Sequence, residues 1–79
     1  MKFTTAEQIS DFLDIVNECE GDVSLHSYSG DIFNLKSQLS QYVAIGELLS
    51  EHGDELELFC RDRNDEAKFV NFFKEHPEL

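Results

Sequence analysis

Seventy-nine residues, 41% of them hydrophobic and 29% charged, describe one small globular domain with a single modest core. Six Lys and Arg against 17 Asp and Glu leave a formal charge of -11, which excludes the clustered cations that nucleic acid or an anionic membrane would need. No apolar run has the length of a membrane span, and Lys2 is followed by polar Thr4, Thr5, Glu7 and Gln8 rather than by a signal-peptide core, so the expected location is the cytoplasm.

The first element reads as a helix from Phe3 to Glu20. Thr4 followed by Glu7 has the spacing of a capping box, and Ile9, Phe12, Leu13, Val16 and Cys19 recur at three- and four-residue steps along one face. Gly21 supplies the stop. From Asp22 to Ser27 the pattern alternates, with Val23 and Leu25 on one side and Ser24 and His26 on the other. Tyr28-Ser29-Gly30-Asp31 has turn chemistry, and Ile32, Phe33 and Leu35 return as a second strand, which makes a hairpin.

Ser37 is placed to cap a second helix whose inner stripe is expected to be Leu39, Tyr42 and Val43. Ile45, Leu48 and Leu49 carry the apolar pattern past Gly46, either as one helix or as a helix and a turn. After the turn His52-Gly53-Asp54, Leu56, Leu58 and Cys60 alternate with Glu55, Glu57 and Phe59 in a third strand. Arg61 to Asn64 reads as a turn, Asp65 and Glu66 as the first turn of a last helix, and Phe69, Val70, Phe72 and Phe73 as its core face. Pro77 ends it. Helix, strand, strand, helix, strand, helix is the order of an α+β two-layer sandwich, an antiparallel sheet with helices on one face, forming one domain over residues 1–79.

The residues capable of chemistry have plain structural accounts. His26, His52 and His76 have no Ser or Cys beside them at a nucleophile–base spacing and read as solvated surface groups. Cys19 and Cys60 lack a CxxC spacing or a neighbouring His pair, so no metal is expected; one disulfide is arithmetically possible, and two buried free thiols fit a small cytoplasmic domain better. The acids Asp54, Glu55, Glu57, Asp62, Asp65 and Glu66 do not follow a calcium-loop spacing and read as a solvated face. Phe59 shares the outer strand face with Glu55 and Glu57, opposite a hairpin whose outer face holds His26 and Tyr28, which gives a partly apolar patch. Ser37, preceded by Lys36 at a helix start, is a place where the helix dipole favours phosphate, but from spacing alone a plain capping serine is the better account.

Several stretches are familiar together: Gly21-Asp22-Val23-Ser24-Leu25, Gly30, Phe33-Asn34-Leu35-Lys36-Ser37, Gly53-Asp54-Glu55-Leu56-Glu57-Leu58 and Asn64-Asp65-Glu66-Ala67. They resemble HPr, the histidine-containing phosphocarrier of the bacterial sugar phosphotransferase system, over nearly the whole chain from Thr4 onward. The resemblance implies an open-faced βαββαβα sandwich whose first strand is here reduced to Met1–Phe3, and it places Ser37 where the family's regulatory serine is phosphorylated by HPr kinase. It also implies a Gly-x-His-x-Arg-Pro motif at the first helix, and the matching stretch, Phe3-Thr4-Thr5-Ala6-Glu7, has no histidine, arginine or proline.

The expectation is therefore an HPr-like protein that is not an enzyme, needs no cofactor, and acts as a regulatory or protein-binding module related to the sugar phosphotransferase system. Its partner is expected to meet the helix start (Lys36, Gln38, Leu39, Tyr42) or the outer strand residues Phe59 and His26, with Ser37 as the regulatory phosphorylation site. The alternatives are a working phosphocarrier that uses His26 and a structural protein that dimerises. A strand edge from Leu56 to Cys60, left open by a short first strand, is the expected place for a homodimer or a docked partner strand.

Overall fold

The computed structural model describes residues 1–79, in which three helices lie on one face of a three-stranded antiparallel sheet. The elements are α1 (Ala6–Glu18), β1 (Val23–His26), β2 (Ile32–Asn34), α2 (Gln38–Leu48), β3 (Glu57–Cys60) and α3 (Arg63–Glu75), with a single 3-10 turn at Gly53–Glu55 before β3. This is the α+β class that the sequence pattern predicts. Met1–Thr4 form no strand, and the sheet order is β2-β1-β3.

The hairpin closes as its chemistry requires. Gly30 takes a positive φ of 95°, which favours glycine, and Ser27 N–H donates to the Asp31 carbonyl at 2.8 Å. In register, Leu25 faces Phe33 on β2 and Leu58 on β3, so the three share the helix-covered face. Val23 and Leu25 are fully buried, whereas Ile32 and Phe59, on the opposite face, are 65% and 46% exposed. The core gathers around Phe12, whose ring lies 5.2 Å from Phe3, 5.5 Å from Phe69 and 6.0 Å from Phe72. Phe3 thus enters the core from the segment ahead of α1 and not from within the helix.

Five sequence expectations are corrected. The cap of α1 is Thr5 with Gln8, one residue later than Thr4 with Glu7: Gln8 N–H donates to Thr5 Oγ1, and Gln8 Oε1 accepts from the N–H groups of Thr4 and Thr5. Glutamine and glutamate serve equally at this position, so the spacing alone permits either start. The last helix begins at Arg63, capped by Asp62, and absorbs half of the expected turn. Asp65 is not solvated but 1% exposed, and Val70 is 53% exposed rather than in the core. Leu39, Tyr42 and Val43 do not form the inner stripe of α2; that face belongs to Ala44 and Leu48. Gly46 leaves α2 unbroken.

The core is pinned at the carboxyl end of α1, which has no basic residue in its own last turn. Lys36, from the β2–α2 connection, donates its ammonium to the carbonyls of Val16 (3.1 Å) and Cys19 (2.6 Å). Lys68 on α3 donates to the Glu18 carbonyl at 3.0 Å. The buried Asp65 carboxylate accepts from Glu20 N–H (3.2 Å) and Gly21 N–H (2.9 Å), with the Lys68 ammonium 3.4 Å away. Two cations on orphan carbonyls and one anion on the following amides are the electrostatic complement of a helix end. The hydrogen bond from Gly21, with those from Glu20 and Lys68, holds the Asp65 carboxyl below the usual aspartate range despite its burial.

Candidate functional site

The side of α2 that faces away from the sheet is the largest departure from ordinary surface chemistry. Its residues are apolar around most of the circumference. Ala44 and Leu48 are buried on one side, while Leu39, Tyr42 and Val43 are 76%, 66% and 53% exposed on the other. At 3.6 residues per turn, positions 39, 42, 43 and 46 fall in one stripe opposite 41, 44, 45 and 48. α2 packs against β2, with Ala44 and Leu48 buried and the bulkier stripe turned to solvent. The sequence pattern assigns the inner stripe to Leu39, Tyr42 and Val43, and the structure buries Ala44 and Leu48 instead.

Three further features mark this face as a candidate site. Between Asp31 and Glu47 the chain has no acidic residue, although 17 are spread over the rest of it. Beside the stripe, a groove of about 310 Å³ runs between α1 and α2, with Ile9, Leu13, Ile45 and Leu49 along it. Gln41, in the groove wall, bridges α1 and α2 by donating from Nε2 to Asn17 Oδ1 at 3.0 Å and to the Leu35 carbonyl at 2.7 Å.

Ser37 is the N-cap of α2, as its position implies, and is half-buried, with Oγ accepting from Ser40 N–H at 3.5 Å. Gln38 is exposed beside it. Lys36 precedes Ser37 in sequence, but its ammonium is directed to the end of α1. Of the expected partner residues, Gln38, Leu39 and Tyr42 therefore share one exposed surface, and Lys36 ties that surface to α1.

Phe59 and His26 form a separate pair on the open face of the sheet. Their ring centroids are 4.1 Å apart, and His26 Nε2 lies 3.1 Å from Ser24 Oγ, so His26 is half-buried and not freely solvated. His76 is also less exposed than expected, stacked 4.6 Å from Phe72 and hydrogen-bonded to Glu78 Oε1 at 3.2 Å. Only His52 precedes a helical turn, and its Nδ1 meets the Glu55 carboxylate at 3.1 Å. The start of α1 offers Thr4, Thr5, Ala6, Glu7 and Gln8, and no imidazole. No group of three or more His, Cys, Asp or Glu side chains is arranged to hold a metal ion.

Both cysteines are free thiols; Cys19 is buried and Cys60 half-buried. Desolvation, followed by the Asp65 charge, raises the Cys19 thiol, and desolvation followed by Cys19 pushes Cys60 up to about 11. Neither is poised as a thiolate nucleophile at neutral pH. No helix is long and apolar enough to cross a membrane. Comparison with protein-family models, curated proteins and solved structures finds no match to this chain.

Proposed function

We propose that the protein is an HPr-like, non-enzymatic binding module of the sugar phosphotransferase system that meets protein partners through α2 and carries no phosphoryl group on histidine. The observation that supports this reading is the exposed apolar stripe Leu39–Tyr42–Val43, set in the acid-free stretch of a chain of charge -11. Contiguous apolar surface that a small domain leaves uncovered is characteristic of interaction sites. Here it is also the surface where another protein meets the least charge repulsion. The apolar groove between α1 and α2 extends it, so that a partner helix or loop would bury Leu39 and Tyr42 and enter beside Ile45 and Leu49.

The loss of phosphocarrier chemistry rests on what surrounds each histidine. A phosphoryl acceptor needs an imidazole near cationic or N–H groups that stabilise the transferred charge. His26 instead has Glu57 as its cross-strand neighbour, His52 is paired with Glu55, and His76 is bonded to Glu78. His52 and His76 thus have a carboxylate at the ring, and the His26 ring meets Ser24 Oγ and Phe59 rather than any cation.

Incubation with enzyme I and radiolabelled phosphoenolpyruvate should leave the chain unlabelled. Titration of the isotope-labelled chain with enzyme I or HPr kinase should shift the amide signals of Leu39, Tyr42 and Val43 more than those of β1 and β3. Acid-labile phosphate on His26 would overturn the first half of the proposal. Shifts that are absent with both proteins, or centred on another surface, would overturn the second.

A further inference from the structure

The outer edge of β3 is the second uncovered surface, and it is independent of α2. Arg61 N–H donates to the Asp22 carbonyl at 3.0 Å, so the alternation of the antiparallel ladder makes Ser24–Phe59 and His26–Glu57 the bonded pairs between β1 and β3. The N–H and C=O groups of Leu58 and Cys60 then point away from the sheet. They have no backbone or side-chain partner, and Met1–Thr4 make no backbone-to-backbone hydrogen bond to this edge. On the helix-covered side the edge opens into an apolar groove of about 390 Å³, lined by Leu58, Cys60, Phe69, Val70 and Phe73.

We infer that this edge pairs with the same edge of a second copy, in the one antiparallel register that centres on Phe59. Outward-pointing Leu58 and Cys60 restrict a symmetric pairing to registers that bond even-numbered residues to each other. Centring on Phe59 sets Leu58 against Cys60 of the other copy, twice, which gives four backbone hydrogen bonds. The same register sets Glu57 opposite Arg61, also twice. Shifting it by one step toward the amino end puts Glu57 opposite Phe59, and by two steps opposite Glu57 itself. Charge therefore disfavours the shifts toward the amino end, and a shift toward the carboxyl end runs off β3, which stops at Cys60, leaving the Phe59-centred register.

Glu57 and Phe59 lie on the open face with their partners His26 and Ser24. Arg61, one residue past β3, is exposed and lies 3.4 Å from Asp22 Oδ2, so in the dimer its guanidinium would be shared between Asp22 and Glu57 of the other copy. At the dyad the two Phe59 side chains form a non-hydrogen-bonded pair, the closer of the two antiparallel pair types. Each Phe59 already lies 4.1 Å from His26, so four rings line up across the junction. On the other side, Leu58 and Cys60 of each copy extend the partner's groove toward Phe69 and Val70. The pairing joins the sheets into one of six strands, in the order β2-β1-β3-β3-β1-β2. Repulsion between two chains of charge -11 opposes it, so moderate salt favours association even as it weakens the Glu57–Arg61 pairs.

Sedimentation equilibrium of the full chain up to about 1 mM, in about 0.3 M salt where the Debye length is near 6 Å, should show twice the 9.1 kDa chain mass at the upper concentrations. Arg61→Glu should weaken dimerisation at least tenfold, and adding Glu57→Arg to it should restore the dimer. Both positions are exposed, and circular dichroism of each variant is the control for folding. A strict monomer overturns the inference and leaves the edge to a strand of another protein. A dimer indifferent to Arg61→Glu, or one that the double exchange does not restore, overturns the surface or the register. Leu39→Glu, which disables α2, should leave the dimer unchanged.

Discussion

Replacing Lys36 by methionine separates its two readings, as a recognition residue beside Ser37 and as a brace on α1. Methionine keeps most of the aliphatic stem and removes the ammonium. In the structure that ammonium donates to the carbonyls of Val16 and Cys19 at 3.1 and 2.6 Å, at a helix end with no basic residue of its own. Hydrogen bonds from charged donors contribute more than neutral ones, and a cation at a helix carboxyl terminus adds a few tenths of a kcal/mol. Lys36 is partly exposed, and water replaces some of what is lost, so the net cost is about 1–2 kcal/mol.

Against a total stability of roughly 4–12 kcal/mol for a domain of this size, that loss is large enough to measure. It corresponds to a fall in melting temperature of roughly 4–16 °C, followed by circular dichroism at neutral pH. Lys36→Arg, which keeps a donor within reach of the same carbonyls, should recover part of it. A Lys36→Met protein that melts within about 1 °C of the parent would refute the brace and return Lys36 to the surface set with Gln38, Leu39 and Tyr42.

Two glycines should respond in opposite senses. A Cβ at Gly53 would lie 2.2 Å from the Leu48 carbonyl oxygen, a backbone atom that cannot turn aside, so Gly53→Ala should cost about 2–3 kcal/mol in urea unfolding. Gly46 has open space around its Cβ position inside α2, and Gly46→Ala should stabilise by about 0.5–1 kcal/mol. Equal effects of the two would contradict the packing of the α2–β3 connection. Asp65→Asn should destabilise the fold near neutrality. The folded-state carboxyl is depressed, so its contribution is fully present above the unfolded value near pH 4 and is lost as pH falls through the lower folded value. The gap in melting temperature between parent and variant should therefore narrow from pH 7 to pH 3, and a constant gap would show that the charge on Asp65 is not what matters.

The elements were legible where local chemistry has one solution. Val23 and Leu25 alternate with polar residues and sit at the sheet centre; Gly30 occupies the one left-handed turn position; Ser37 caps α2. Legibility ended where a pattern had two solutions. Thr4–Glu7 and Thr5–Gln8 both have capping-box spacing; the structure uses the second, with Phe3 ahead of the helix 5.2 Å from Phe12. The two stripes of α2 are both apolar, and the choice depends on how β2 delivers the chain to the sheet. Asp65 looked like one acid among many because its partners, the amides of Glu20 and Gly21, are more than forty positions away. The spacing Asp62-x-x-Asp65 was the available signal, since the first acid caps α3 and the second is freed to reach another element.

The two uncovered surfaces stand in a geometric relation that neither has alone. In the order β2-β1-β3, α2 packs against β2 and the open edge belongs to β3, so the surfaces lie at opposite sides of the domain. Pairing at β3 would therefore leave both α2 stripes accessible, one at each end of a six-stranded sheet. Each copy would also retain its acid-free segment as the approach least opposed by charge, because the 17 acidic residues all lie outside positions 32–46. A dimeric partner, or one with two docking segments, would then bind the second stripe as an intramolecular step, with an advantage set by the span between its own sites. Arg61→Glu should abolish that advantage and leave single-site affinity intact, whereas Leu39→Glu should abolish binding and leave the dimer intact. An Arg61→Glu protein that loses single-site binding as well would show the two surfaces to be coupled through the fold, contrary to their placement on opposite edges of the sheet.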